Sequence, residues 1–116
     1  EPNALPKWLT EADLDFFTAE FERSGMRGPL NYYRNHDLTW KLTEGAPTEI
    51  HQPAMFLAGA NDGVVAMAAP AIQMMPHFVK DLRINRMLPG IGHWTQQEAP
   101  KETNAAILEF LKMVDG

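Results

Sequence analysis

The chain has 116 residues, of which 45% are hydrophobic and 22% are charged, a balance typical of a folded globular protein rather than a disordered or membrane-spanning one. Its net charge of −5, with 10 basic residues scattered along the chain, argues against the basic surface by which proteins bind nucleic acid. The absence of cysteine excludes disulfides and thiolate metal sites, and it fits a reducing compartment.

The first residues and the length indicate a piece of a longer protein. The chain opens with Glu1 and Pro2 rather than Met, and 116 residues allow only one modest core. No basic segment followed by an apolar stretch marks a secretion signal, so we expect a cytoplasmic location by default.

Two helices are predicted in the first part of the chain. Thr10 is a favourable N-cap and Gly25 a favourable stop, with apolar residues at helical spacing between them. A second helix is expected to begin at Gly28-Pro29, because proline is favoured at the first helical position. It runs through Leu30 and Tyr33, which share a face, and extends towards Trp40.

A loop is predicted from Thr43 to Pro53, because its two prolines favour extended backbone. The apolar run Ala54–Ala58 then predicts a parallel strand covered on both faces, with Asp62 just past its carboxyl end. A helix is expected from Met67 to Met75. The best candidate for a second strand is Leu82–Leu88.

His93 follows the second predicted strand, in a glycine-containing loop. A long amphipathic helix then begins at Pro100, and its apolar stripe should pack on the sheet; the stripe consists of Ile107, Leu108, Leu111 and Val114. This order of strand, helix, strand, helix implies parallel strands, whose carboxyl ends form the usual ligand-binding edge. Asp62 and His93 both fall at that edge. Asp81 is a rival acid, but it precedes its strand and so lies at the wrong end.

Two parallel strands do not make a stable domain, because both sheet faces and the free edge need cover. Further strands must therefore come from elsewhere. We expect the isolated chain to aggregate or to stay loosely folded.

Three segments resemble the soluble-type epoxide hydrolases of the α/β-hydrolase fold. Ser24–Asn35 contains Arg-Gly-Pro-Leu-Asn-Tyr-Tyr-Arg-Asn, which is similar to the lid motif of that family. Gly59–Asp62 resembles its charge-relay turn. Gly92–Gln96, followed by Glu98-Ala99-Pro100, resembles its catalytic-histidine loop. The three segments stand in the order of the family, and the resemblance covers nearly the whole chain.

The resemblance implies an α/β fold, namely the C-terminal part of an α/β-hydrolase. Residues 1–45 would be the end of the helical lid, and residues 46–116 the last two parallel strands and helices of the core. It implies an epoxide hydrolase that forms a vicinal diol through an aspartyl ester, with the nucleophilic aspartate in a missing N-terminal part. Tyr33 would activate the epoxide oxygen, while His93, held by Asp62 as in a catalytic triad, would activate water.

The chemistry of these side chains suits the implied roles. A phenol stays protonated at neutral pH and can donate to a developing alkoxide. A histidine can be a neutral base near pH 7, and a carboxylate fixes its tautomer. Water is the second substrate, so no cofactor is expected, and the remaining histidines lack ligand spacing, so no metal is expected. The expected partners are a small apolar epoxide, water and the complementary N-terminal part, with no nucleic acid and no membrane span.

Without its motif, Tyr33 would be assigned to packing, which is the usual role of a tyrosine on an apolar helix face.

Two alternatives to an epoxide hydrolase stay open. A haloacid or haloalkane dehalogenase of the same fold would use the same Asp62 and His93, although halide needs no proton and so gives Tyr33 no task. The other alternative is a non-catalytic fragment that merely retains the site residues.

Overall fold

The computed structural model describes residues 4–115. Glu1 and Pro2, on which the expectation of a longer protein partly rests, lie outside the described residues. The chain forms two compact units, Glu1–Ala46 and Pro47–Gly116. The boundary expected from the sequence, between residues 45 and 46, differs from this division by one residue. Whether the units are a lid and a core stays a prediction.

The first unit begins with helix α1, Glu11–Ser24. Thr10 and Asp13 cap it reciprocally: the Asp13 N–H donates to Thr10 Oγ1 at 3.2 Å, and the Thr10 N–H donates to Asp13 Oδ2 at 3.0 Å. The helix ends at Gly25, whose φ of 69° is readily adopted only by glycine, and whose N–H donates to the Phe21 carbonyl. The predicted start and stop of this helix are confirmed.

The second predicted helix is two helices, α2 (Arg27–Arg34) and α3 (His36–Leu42). Pro29 lies in the first turn of α2, where its missing N–H costs no helical hydrogen bond. The continuous helix expected as far as Trp40 is wrong, because the chain leaves helical geometry at Asn35, with φ −92° and ψ 5°. Asparagine is unfavourable inside helices, since its side chain competes for backbone hydrogen bonds.

The second unit contains a parallel pair of strands, β1 (Ile50–Gly59) and β2 (Val79–Leu88). Both start before the predicted positions, so the loop expected as far as Pro53 is wrong for its last residues. Pro53 lies beside a shift in the strand register, and irregular positions of this kind tolerate proline within a sheet. At the other end of the pair, Gly59 lies opposite Leu88.

Two helices connect the strands, α4 (Gly63–Met67) and α5 (Ala69–Phe78). The single helix expected over Met67–Met75 is therefore broken, at Ala68. Pro70 stands near the start of α5, where proline is tolerated. After β2 come the short helix α6 (Thr95–Glu98), which was not predicted, and α7 (Pro100–Val114), whose start at Pro100 is confirmed.

Helix α7 contacts both strands. Its buried residues are Thr103 and Ala106, whereas the stripe residues are exposed: Ile107, Leu108, Leu111 and Val114. The Thr103 hydroxyl donates to the Thr95 carbonyl at 3.2 Å, and of the stripe residues Ile107 lines a cavity together with Met55 and Leu57 of β1. Five of the ten residues of β1 are half-buried within this chain and three are exposed, so the strand is not covered on both faces.

Large apolar side chains remain accessible throughout residues 4–115, and none of them is fully buried. In the same range, no helix combines the length and the apolar character needed to cross a membrane.

Candidate active site

Asp62 lies in the turn that follows β1 and caps the next helix. Its backbone is extended, and its Oδ1 accepts a hydrogen bond from the Val64 N–H at 2.8 Å, at the start of α4. This bond leaves Oδ2 free for another partner. The side chain is only 10% exposed, so its orientation is set by the turn and the helix rather than by solvent.

His93 lies in the loop between β2 and α6 and reaches back to Asp62. Its Nδ1 is 2.8 Å from Asp62 Oδ2, although the two residues are separated by 31 positions. Because an ionised carboxylate only accepts hydrogen bonds, Nδ1 must carry the hydrogen. The other ring nitrogen, Nε2, is then free to accept a proton, and the imidazole is 59% exposed. The pair therefore has the arrangement of a general base and its orienting acid.

The electrostatics keep Asp62 ionised. The hydrogen bond from the His93 side chain is the largest cause that lowers the pKa of Asp62 below its usual value of 3.8. Partial burial opposes this shift, and the Val64 N–H adds to it. Asp62 is thus an anion at neutral pH and can stabilise an imidazolium as it forms.

Backbone hydrogen bonds also connect the turn that carries Asp62 to the end of β2 and to the loop that carries His93. The Asn61 N–H donates to the Ile91 carbonyl at 2.8 Å, and the Ala60 N–H donates to the Leu88 carbonyl at 2.9 Å. Gly59 is required at this crossing, because a Cβ there would lie 2.2 Å from the Gly92 carbonyl oxygen. The His93 loop therefore passes directly over the end of β1.

Glu98 is a residue of the site whose role the sequence analysis missed. Its carboxylate accepts hydrogen bonds from the Gly92 N–H at 2.7 Å and from the Trp94 N–H at 3.0 Å, on either side of His93. The pattern Thr-Gln-Gln-Glu at residues 95–98 would predict a capping box on the Thr95 amide, whereas Trp94 is the N-cap of α6 and the helix has no side-chain cap. No local signal in the sequence therefore identifies the contact of Glu98 with Gly92 and Trp94.

Two further side chains define the surroundings of the pair. Trp94 lies beside His93, with ring centroids 5.6 Å apart in an edge-to-face arrangement. Asp81 is hydrogen-bonded to Arg83 near the start of β2, with its Oδ2 2.9 Å from the guanidinium. The rival acid is therefore engaged elsewhere.

Tyr33 lies on α2, in the first unit. It is 73% exposed, and its ring centroid is 6.0 Å from that of His36. The neighbouring Tyr32 is 82% exposed. The structure thus brings together two of the three predicted site residues, Asp62 and His93, and the role of Tyr33 stays a prediction.

A cavity of about 340 Å³ borders the pair in the second unit. Asp62 and His93 form part of its polar wall, and Met55, Leu57 and Ile107 contribute apolar surface. Within residues 4–115, no three histidine, aspartate or glutamate side chains are grouped as metal ligands. The chemistry that the described side chains can perform here is proton transfer next to an apolar surface.

Comparison with known proteins gives a consistent set of relatives. No family model matches the chain. Epoxide hydrolase B of Mycobacterium tuberculosis is 44% identical over 111 residues, which are 95% of this chain and 31% of that protein. Epoxide hydrolase 1 of Siraitia grosvenorii is 40% identical over 96% of this chain and 37% of its own length. The chain therefore spans about a third of the length of these relatives.

Solved structures agree with the sequence matches. The crystal structure of epoxide hydrolase A from Mycobacterium thermoresistibile matches with a TM-score of 0.88 and 46% identity, over 97% of this chain and 35% of the other. An epoxide hydrolase from an endophytic Streptomyces matches with a TM-score of 0.89 and 44% identity, over 95% of this chain and 34% of the other. The architecture of this chain matches the C-terminal part of these α/β-hydrolase structures.

Proposed function

We propose that this chain, a homologue of epoxide hydrolases over nearly its whole length, supplies the water-activating half of an epoxide hydrolase active site. The observation that carries the proposal is the 2.8 Å contact between His93 Nδ1 and Asp62 Oδ2 at the carboxyl edge of the strand pair. The nucleophilic aspartate is supplied by a complementary N-terminal part outside these 116 residues.

In the first step, the aspartate of the complementary part attacks an epoxide carbon. A bond forms between a carboxylate oxygen and that carbon while the carbon–oxygen bond of the ring breaks. The Tyr33 hydroxyl donates its proton to the alkoxide that develops, which leaves an ester bearing a neighbouring hydroxyl group. His93 takes no part as a base in this step.

In the second step, His93 Nε2 removes a proton from water, and the resulting hydroxide attacks the ester carbonyl. Asp62 stabilises the imidazolium, which returns its proton to the departing alkoxide to give the diol. The aspartic acid that is released ionises, and its proton restores Tyr33. Each turnover thus consumes one water and one epoxide, and no cofactor is needed.

The proposed substrate is a small apolar epoxide. Support comes from the apolar surface that Met55, Leu57 and Ile107 contribute next to the Asp62–His93 pair, since ligand sites are mostly apolar with a few placed polar groups. A cytoplasmic location remains part of the proposal.

The test is single-turnover hydrolysis of a styrene-oxide-type epoxide by the complete protein, with Tyr33→Phe compared with Tyr32→Phe as a matched control. Both substitutions remove one exposed hydroxyl from α2. We expect Tyr33→Phe to slow ester formation about 100-fold and Tyr32→Phe to leave it unchanged.

Three results would contradict the proposal. Epoxide turnover that is indifferent to Tyr33 would remove its role. Activity only on haloacids or haloalkanes would indicate a dehalogenase. No turnover in a preparation that contains the nucleophile would indicate a non-catalytic fragment.

A further inference from the structure

The carboxylate of Glu98 has no task in the reaction proposed above, yet it is placed against the catalytic loop. Its Oε2 accepts from the Gly92 N–H at 2.7 Å and its Oε1 from the Trp94 N–H at 3.0 Å. Among the described residues, no lysine or arginine pairs with this half-buried carboxylate. Its partners are therefore the two amides that flank His93.

The Glu98 carboxylate lies so close to Gly92 that a larger residue at position 92 would crowd it. A Cβ at position 92 would lie 3.0 Å from Glu98 Oε1 and 3.3 Å from Oε2, so glycine allows the carboxylate to approach the backbone. On its other side, the loop is tied to the β1 turn by the hydrogen bond from the Asn61 N–H to the Ile91 carbonyl, at 2.8 Å. The backbone before His93 is thus fastened from two directions.

We infer that Glu98 is a positioning residue for His93: by holding the amides on both sides, its carboxylate keeps the imidazole on Asp62 while water is activated. This inference rests on the proposed function. A carboxylate suits the task because both of its oxygens accept hydrogen bonds. A glutamine would present only one acceptor oxygen. Its NH₂ group, which is a donor, would face one of the two amide N–H groups, which is also a donor.

The kinetic test uses Glu98→Gln in the complete protein, with Glu102→Gln on the exposed first turn of α7 as the matched control. We expect Glu98→Gln to slow ester hydrolysis about tenfold, because one amide loses its acceptor and the loop shifts. Ester formation should be unchanged, since His93 is not its base. Glu98→Asp keeps both oxygens on a shorter side chain, so it should recover part of the hydrolysis rate.

A second measurement does not depend on epoxide turnover. The His93 Nδ1–H hydrogen-bonded to Asp62 should give a far-downfield proton resonance, which is expected to broaden by solvent exchange in Glu98→Gln and to persist in Glu102→Gln. If Glu98→Gln does not fold, Glu98→Asp provides the same comparison with a smaller effect.

The outcomes separate this inference from the proposed function. An unchanged proton resonance, or equal slowing of ester formation and ester hydrolysis, would overturn the positioning role. If the unaltered protein opens no epoxide, the proposed function fails, while the resonance still reports whether Glu98 holds His93 on Asp62.

Discussion

If the proposed function holds, replacing Asp62 with asparagine should abolish efficient ester hydrolysis while the side chain keeps its position at the start of α4. Asp62 uses one oxygen for the Val64 N–H and the other for His93 Nδ1, but an asparagine has only one oxygen. If that oxygen keeps the α4 cap, the NH₂ group faces Nδ1 and stabilises the tautomer that carries its hydrogen on Nε2. Nε2 of His93, which must accept the proton from water, then already carries a hydrogen.

The size of this effect follows from the loss of both the correct tautomer and the negative charge. In a serine protease triad, the same substitution lowers turnover by about 10⁴-fold. We expect a loss of about 10³- to 10⁴-fold in ester hydrolysis here, since Asp62 supplies the same two contributions. In the proposed mechanism, ester formation does not use His93 as a base and should change little, so the covalent intermediate should accumulate.

Rapid-quench single-turnover kinetics with mass analysis of the trapped ester would measure both steps. Asp81→Asn is the matched control, because Asp81 pairs with Arg83 in β2 rather than with His93. If Asp62→Asn slows ester hydrolysis by less than about tenfold, the loss of one weak hydrogen bond could explain the effect. That result would refute the inference that the substitution changes the His93 tautomer. Equal slowing of both steps would also refute it.

Four further predictions follow from the described contacts. Gly59→Ala should destabilise the protein by about 1–3 kcal/mol in urea denaturation, because its Cβ meets the loop backbone; Gly63→Ala, which meets nothing within 4 Å, is the control. Thr10→Ala should cost about 1 kcal/mol by loss of the α1 cap, measured in the same way. The lowered pKa of Asp62 means that its contribution to stability is complete at neutral pH and is lost as the pH falls below 3.8; the difference in thermal stability between the unaltered protein and Asp62→Asn should shrink there. The isolated 116-residue chain should bind a hydrophobic dye and lack a cooperative thermal transition, because its large apolar side chains are accessible.

Several local features were predictable because they depend on neighbouring residues. Thr10 and Gly25 bound α1 through contacts within a few positions, and Pro100 begins α7. The parallel pair and its order were predictable from an apolar segment, a helical segment and an imperfectly alternating segment in succession. The placement of Asp62 and His93 after the two strands followed from that order, because parallel strands share a carboxyl edge.

Some features were missed because they depend on partners distant in sequence or on how closely two elements approach. The full lengths of β1 and β2 depend on each other, so pairing extends Ile50–Gly59 beyond its apolar run. The most buried positions of α7 are Thr103 and Ala106, which no hydrophobicity pattern singles out. Sequence patterns report local preference and cannot report how closely two elements approach.

The sequence by itself determined the helix limits at Thr10, Gly25 and Pro100 and the two acid–base candidates, because caps and strand-end positions are local signals. Only the tertiary structure decided that Asp62 and His93 meet at 2.8 Å and that Glu98 accepts hydrogen bonds from the amides on either side of His93. The physical reason is that a hydrogen bond requires sub-ångström placement of groups that separate elements carry. That placement arises only when β1, β2 and α6 pack together.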